Sequence, residues 1–387
     1  MENPLDAIKR TATSLGGRID WVLFVAALLL SSAGLITMNS FFGDNYFFGR
    51  QLIWISISVA IFFILSFLDF RFLKKTSVIV SLFALSAATL LLTLLFGDIF
   101  SGAQSWIDVG AFSVQTSDPI KIVVLLLLAK YFSRRHVEIA NYRHILVSGL
   151  YMIIIVALVF LQPDFGSAII IFSLWLGMIL VAGISKKHLL IIFLVGLMSA
   201  GGLWTFVFEE YQKERIMTFI NPLTDLQGAG YNAYQSQVAV GSGELMGKGI
   251  GGGTQSRLEF LPEYETDFIF AAFAEEWGFF GVLLLLMLYG VIIWRILASS
   301  LYGATNFETL FGVGIAILLM SHFTVHIGMN IGLLPVTGTT LPFMSYGGSH
   351  LITEFAALGI FMGMRYYGRP IVRGDSDYEL VGVDIET

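Results

Sequence analysis

The chain has 387 residues, of which 56% are hydrophobic and 13% charged, and its mean hydropathy is +0.80. Soluble domains carry about 25% charged residues, so this is the composition of a polytopic membrane protein. A formal net charge of -6 argues against a nucleic-acid partner, and the absence of cysteine excludes disulfides, thiol catalysis and thiolate metal sites. The chain contains 34 Phe, 14 Tyr and 7 Trp, ample material for interfacial aromatic belts. The expected fold class is an all-α integral membrane protein, a helix bundle in lipid with its backbone polar groups satisfied internally.

Residues 1–19 are polar, carry Lys9, Arg10 and Arg18, and lead into an apolar run without a small-residue cleavage pattern, which reads as a cytoplasmic segment rather than a removable signal. Ten apolar runs follow, at 21–42, 52–68, 77–96, 120–132, 145–161, 167–184, 189–208, 277–297, 310–331 and 351–366. A helix needs about 20 residues to cross about 30 Å of hydrocarbon. The 120–132 run is shorter than that, so it is either a short helix extended at its ends or a re-entrant segment. Basic residues favour a crossing. With ten crossings and cytoplasmic termini, Lys9, Arg10, Arg18, Arg71, Lys74, Lys75, Arg134, Arg135, Arg143, Lys186, Lys187, Arg295, Arg365, Arg369 and Arg373 lie inside, against Arg50 alone in the short outer loops. The expected layout is therefore about ten transmembrane helices across 20–367, one large extracytoplasmic loop at 209–276, and a cytoplasmic acidic tail at 368–387. On this topology Ser256→Cys should react with an impermeant maleimide from outside and Ser185→Cys should not.

Within the large loop, 211–219 is amphipathic and helix-like and carries Arg215; Asn221-Pro222 ends it. The glycine cluster at 241–254 fails the phosphate-loop spacing around Gly247-Lys248 and lacks the following Ser or Thr. Its glycines supply either backbone amides to an anionic or sugar ligand or tight turns over helix ends. Glu263, Glu265 and Asp267 then stand just ahead of an apolar run, where carboxylates cost several kcal/mol unless hydrated, paired or used. Asp267 abuts Phe268-Ile269-Phe270 and would be partly desolvated, which suits a general base; the alternative is that it caps a helix beginning near Phe268.

Asp118 and Lys121 are three residues apart, on one face of the short fourth helix, either as a substrate-side pair or as a structural ion pair. Pro119 suits a first helical turn. His322 and His326 are one turn apart, but two ligands are too few for a metal, so hydrogen bonds between helices are the better reading. Glu354, also within an apolar run, is expected to be paired.

Several long motifs in order carry a resemblance. Tyr234-Gln-Ser-Gln-Val-Ala-Val-Gly-Ser-Gly, Gly247-Lys-Gly, Gly253-Thr-Gln-Ser, Leu261-Pro-Glu and Thr266-Asp-Phe-Ile-Phe-Ala, with Gly332-Leu-Leu-Pro-Val-Thr-Gly-Thr-Thr-Leu-Pro-Phe-Met-Ser-Tyr-Gly-Gly-Ser, resemble the SEDS family of cell-wall polymerases, which comprises RodA, FtsW and sporulation relatives. Trp106-Ile-Asp, Gln162-Pro-Asp-Phe-Gly-Ser-Ala and Arg215 with Asn221-Pro222 extend the match over about 20–365. The resemblance implies a ten-helix bacterial inner-membrane enzyme with both ends cytoplasmic. It also implies peptidoglycan glycosyltransferase activity on lipid II, a disaccharide-pentapeptide carried on undecaprenyl diphosphate. The Pro335-Val-Thr-Gly form and the short tail lean toward RodA.

By the same resemblance Asp267 is catalytic and Gln115, Trp106, Asp118 and Lys121 contact substrate, while Arg215 and Arg257 are outer cations able to meet diphosphate. The family writes Gln-Pro-Ser-Glu…Lys where this chain has Gln115-Thr116-Ser117-Asp118-Pro119-Ile120-Lys121, Ser105 stands where an arginine is usual, and His326 where asparagine is usual. Sugar transfer from an α-linked donor to a β-linked chain is one inversion and needs one base with no covalent nucleophile. The diphosphate leaving group needs positive charge or aligned donors. No cofactor is required by the motifs; a divalent cation, Mg or Mn, would neutralise the diphosphate. Implied partners are a class B penicillin-binding transpeptidase, elongation or division proteins, and membrane lipids. The competing reading is a lipid II flippase or other polytopic transporter, for which broken helices and charges at the bilayer midplane are the usual marks.

Overall fold

The computed structural model describes residues 17–39, 46–100, 103–109, 112–134, 142–206, 208, 210–220, 229–258, 260–301, 303 and 305–368. Lys9, Arg10, Arg135, Asn221-Pro222, Arg369, Arg373 and the acidic tail lie outside the described residues, as does the side chain of Arg215. The chain forms α1 (Trp21–Asn39), α2 (Tyr46–Ser66), α3 (Thr76–Phe96), α4 (Ser117–Ser133), α5 (Tyr142–Leu161), α6 (Phe165–Ala182) and α7 (Lys186–Phe206). Then come α8 (Glu210–Ile220), α9 (Ala229–Ser242), α10 (Thr254–Arg257), α11 (Ile269–Ser300), α12 (Asn306–Asn330) and α13 (Gly348–Gly368). Eight of them, α1 to α3, α5 to α7, α11 and α12, are long and apolar enough to cross a bilayer. Helices α4 and α13 occupy the two remaining apolar runs, so this is a helical integral membrane protein.

Hydropathy gave no sign of the three-stranded antiparallel sheet between α3 and α4, which is formed by β1 (Asp98–Phe100), β2 (Ala103–Val109) and β3 (Phe112–Gln115) in that order. Its register sets Trp106 opposite Gln115. The sheet is tied to the bundle where the Gln104 N–H donates to the Gln162 carbonyl (3.0 Å).

Helix α4 explains its own shortness. It starts ahead of the apolar run, at Ser117, and its 17 residues span about 25 Å at 1.5 Å per residue. Twelve of those residues are buried, against α3, α6, α12 and α13, so α4 is the central post of the bundle and presents little surface to lipid. Asp118 and Lys121 are thereby enclosed by protein rather than hydrocarbon, the condition under which charges persist at such depth. By contrast α7 buries no residue at all. Helices α2 and α13 approach closely because α13 offers small residues there. A Cβ at Gly359 would stand 2.8 Å from the Phe62 carbonyl oxygen, and one at Gly363 2.8 Å from that of Leu68.

At one end of the bundle Asp20 accepts the Leu23 N–H (3.2 Å) at the start of α1 and receives Arg295 of α11 through Nε (3.0 and 3.1 Å) and Nη2 (2.9 Å). Arg365 of α13 stands 3.8 Å away. Lys74 pairs with buried Glu308 (2.7 Å), and Lys130 donates to the Lys74 carbonyl. Two of the basic residues assigned to one side from loop charge, Arg295 and Arg365, thus share one carboxylate.

Helix α11 is two helices. Gly278 has φ 63° and ψ -165°, which interrupts the run between Trp277 and Phe279. An unbroken helix would pair the N–H groups of Phe279 and Phe280 with the carbonyls of Glu275 and Glu276. Here Phe279 and Phe280 donate to Glu244 (2.9 Å) and Leu245 (3.2 Å), while the Glu275 and Glu276 carbonyls accept from Lys248 and Gly249 (both 3.0 Å). The glycine cluster is therefore a hairpin inserted into a helix break. Residues 269–276, expected in the loop, form the first half of α11.

The Glu275 side chain closes the insertion. Fully buried, it accepts from Lys248 Nζ (2.7 Å), the backbone N–H groups of Thr254 (2.8 Å) and Gln255 (3.1 Å), and Ser256 Oγ (3.2 Å), while Glu276 accepts the Gly251 N–H (2.8 Å). The amides that composition left open to an external anion are held by the chain's own carboxylates. Ser256 is consequently buried and unsuited to a labelling probe.

The break makes an opposed-sign prediction. In a continuous helix Gly278→Ala would stabilise by about 0.8–1 kcal/mol. The observed backbone is a region essentially reserved for glycine, where any side chain costs about 1–3 kcal/mol, and a Cβ would also meet Gly247 N at 2.2 Å. Gly278→Ala should therefore lower the thermal unfolding temperature of the purified protein. A raised temperature would contradict the break.

Candidate active site

The half-helix Ile269–Trp277 carries Asp267 two residues ahead of its first turn. The N-cap of α11 is Phe268, with no side-chain cap, so Asp267 does not fill the capping position expected as its structural alternative. Its backbone is held from two sides. On one, Asn330 at the end of α12 donates Nδ2 to the Asp267 carbonyl (3.0 Å) and to the His326 carbonyl (2.8 Å), while its Oδ1 accepts the Ala271 N–H (3.2 Å). On the other, the loop before α13 supplies Ser345 Oγ to the Thr266 carbonyl (2.7 Å) and the Tyr346 N–H to the Glu265 carbonyl (2.8 Å). The Asp267 side chain is partly exposed, and a Cβ on Gly338 would stand 3.6 Å from its Oδ2.

The three carboxylates of the motif differ in environment. Glu263 is exposed at φ 51° and its side chain accepts Thr266 Oγ1 (3.1 Å), whereas Glu265 is buried. Asp267 alone combines a fixed backbone with a half-exposed carboxylate. That is what a proton acceptor for an incoming hydroxyl requires.

The Asp118–Lys121 pair is present, with Nζ 3.0 Å from Oδ1 and both side chains buried. It is larger than a pair. His350, at the start of α13, places Nδ1 3.4 Å from Asp118 Oδ1 and Nε2 2.9 Å from Glu354 Oε1, and Glu354 Oε2 accepts the Phe343 N–H (2.7 Å). Phe343, at φ 62°, lies in the loop that holds the Thr266 and Glu265 carbonyls, so an ion pair, hydrogen bonds and a short backbone segment connect the buried cluster to the Asp267 strap. Glu354 is paired, as its apolar surroundings demanded.

Gln115 and Trp106 are brought together on adjacent strands. The Gln115 amide donates to Asp164 Oδ2 (2.9 Å), which also accepts Ser117 Oγ (3.1 Å), while Asp164 Oδ1 caps α6 through the Ser167 N–H (3.0 Å). Ser349 Oγ donates to the Gln115 carbonyl (3.2 Å). Next to that cap Gly166 packs against Thr337 and Thr339, on either side of Gly338. The sheet, α6 and the loop before α13 thus converge on the end of the bundle that carries Asp267. Ser105 is buried, its carbonyl accepting the Thr116 N–H (3.0 Å), and offers no cation. Arg257 is the exposed last residue of α10. Arg215 lies in α8 with its side chain outside the described residues.

His326 Nδ1 lies 2.7 Å from the Thr339 carbonyl, and the His322 ring rests against that of His350 with centroids 4.7 Å apart. Among the described residues no group of three or more His, Asp or Glu side chains is placed to hold a metal ion. Sequence reading missed Asn330, Ser345, Glu275 and His350. Only the His350…Glu354 spacing of four, one helical face, was visible beforehand.

A bundle with a half-helix, a partly exposed carboxylate at its start and an enclosed ion cluster defines a class of polytopic membrane protein with a polar site at one end. A family model described as a cell cycle protein, covering FtsW, RodA and SpoVE, matches residues 18–369. Stage V sporulation protein E of Bacillus subtilis is 35% identical over 362 residues, covering 90% of this chain and 98% of that protein. Peptidoglycan glycosyltransferase MrdB of Escherichia coli is 39% identical over 269 residues, 70% of this chain and 72% of that protein. Among solved structures, a chain from a peptidoglycan synthase complex superposes with a TM-score of 0.78 at 30% identity, covering 90% of this chain and 98% of that one. The rod shape determining protein RodA of Thermus thermophilus gives 0.68 at 29% identity, covering 90% and 96%. The chain belongs to the FtsW/RodA/SpoVE family, also called SEDS.

Proposed function

We infer that this chain is a peptidoglycan glycosyltransferase that polymerises lipid II at the outer face of the bacterial inner membrane, with Asp267 as general base. The observation that carries the assignment is the clamped but half-exposed placement of Asp267. Asp267 takes the proton from the acceptor sugar hydroxyl as that oxygen attacks the donor anomeric carbon; the carbon inverts and undecaprenyl diphosphate leaves. Lys121, held by Asp118, supplies positive charge to the diphosphate. Gln115 and Trp106 line the approach from the sheet, and Arg215 and Arg257 are outer cations at its margin. A class B penicillin-binding transpeptidase is the partner that this activity calls for, and elongation or division proteins would assemble with it.

The break in α11 and the buried charges are features a lipid II flippase would share. The break, however, is filled by a hairpin bonded on both sides, which suits a fixed support better than a moving gate. Purified protein given labelled lipid II should yield glycan chains; translocation without new glycosidic bonds would favour the carrier.

In the proposed orientation both termini are cytoplasmic and the 209–276 loop is extracytoplasmic. Leu258 is 59% exposed just after α10, so Leu258→Cys should react with an impermeant maleimide from outside, while Lys187→Cys, at the start of α7, should be protected in intact cells. The reverse pattern would invert the molecule.

Asp267→Asn is nearly isosteric and leaves the backbone clamps in place, so polymerisation should drop about 10²-fold or more with yield and melting temperature unchanged. Exposed Glu263→Gln is the control for lost negative charge and should retain most turnover. An active Asp267→Asn enzyme beside an inactive Glu263→Gln enzyme would move the base upstream. For Lys121→Ala, single-turnover assays on correctly inserted protein should show severe loss, and normal turnover would reduce the Asp118–Lys121 pair to scaffolding.

A further inference from the structure

His350 occupies a place that the base and the Lys121 contact do not explain. Its ring is buried between carboxylates from two helices, Asp118 of α4 (3.4 Å) and Glu354 of its own α13 (2.9 Å). Nδ1 is within hydrogen-bond reach of Asp118, while the Nε2 contact with Glu354 is an ion pair without hydrogen-bond geometry. With Lys121 included, two acidic and two basic groups then sum to zero charge inside the bundle, where an uncompensated carboxylate would be costly. Asp118 Oδ1 meets both Lys121 Nζ and His350 Nδ1, and its Oδ2 is buried without a hydrogen-bond partner. Aspartate has a short side chain that keeps its carboxylate close to the α4 backbone. A carboxylate set back toward α4 is bridged to α13 by the long reach of an imidazole.

We propose that His350 is a positioning residue for the diphosphate-contacting Lys121: from α13 it holds the short Asp118 carboxylate that orients the ammonium, and through Glu354 and the Phe343 N–H it ties that pair to the strap around Asp267. This inference rests on Lys121 acting as the diphosphate contact. Phe343 precedes Ser345 and Tyr346 by two and three residues, and these hold the Thr266 and Glu265 carbonyls. The histidine therefore links the leaving-group side of the reaction to the base side.

The test measures lipid II polymerisation by the full-length protein, resolving KM from kcat, for His350→Ala, Asp118→Glu, the double variant and Lys121→Ala, each checked for melting temperature. His350→Ala should raise KM about tenfold with kcat within about threefold, because it loosens binding without touching the base. Asp118→Glu, which extends the carboxylate toward the vacated space, should return the double variant to within about threefold of wild-type KM, a coupling expected only of residues acting on one another. A wild-type KM in His350→Ala overturns the inference, as does a defect that Asp118→Glu leaves unrelieved in a protein of normal melting temperature. A damaged Lys121→Ala enzyme beside an unimpaired His350→Ala enzyme overturns this inference alone, whereas an unimpaired Lys121→Ala enzyme overturns the diphosphate contact and this inference with it. Where His350→Ala does not insert, His350→Gln, which keeps a donor and loses the charge, is read by the same criteria.

Discussion

Backbone hydrogen bonding in a medium without water is the constraint on which the architecture turns. A helix can be broken at membrane depth only where protein takes over the freed groups. At Gly278 the hairpin 244–249 does so, accepting from Phe279 and Phe280 and donating to Glu275 and Glu276. The break lets Ile269–Trp277 take its own direction, and Asp267 goes where that half-helix goes. Glu275, anchored by Lys248 and the amides of α10, prevents the hairpin from sliding out of the break.

Charge burial follows a similar logic. Asp118 and Lys121 would be costly on a lipid-facing helix, and the helix that bears them buries twelve of its 17 residues. The Asp118–Lys121 pair balances itself, and α13 sets a second pair, His350 and Glu354, against it. These requirements also account for the order of the C-terminal motif. The loop between α12 and α13 must present Ser345 and Tyr346 to the acidic segment, Gly338 to Asp267, and a backbone N–H to Glu354, all within 338–346.

Much of the site was legible because its chemistry is local. The spacing of three between Asp118 and Lys121 places them on one helical face whatever the bundle does around them, and the pair formed. Asp267 stood out among three carboxylates because it alone touches the apolar run. His326 was expected to bond a neighbouring helix and instead meets the loop carbonyl of Thr339, since sequence names the unsatisfied donor but not what lies across from it. The glycine cluster was ambiguous for a related reason: exposed amides suit any anion, and only the fold showed Glu275 and Glu276 occupying them.

By itself the sequence determined which segments are apolar enough for a membrane, which charges are too expensive to be incidental, and to which family the ordered motifs point. Hydropathy and helical spacing are properties of consecutive residues and need no partner. Only the tertiary structure decided that α4 is the central post, that α11 breaks at Gly278, that a small sheet sets Trp106 beside Gln115, and that His350 stands against Asp118. Each of these depends on groups distant along the chain, Gly278 against Gly247, Ser349 against Gln115, His350 against Asp118, and such pairings exist only after the helices have packed.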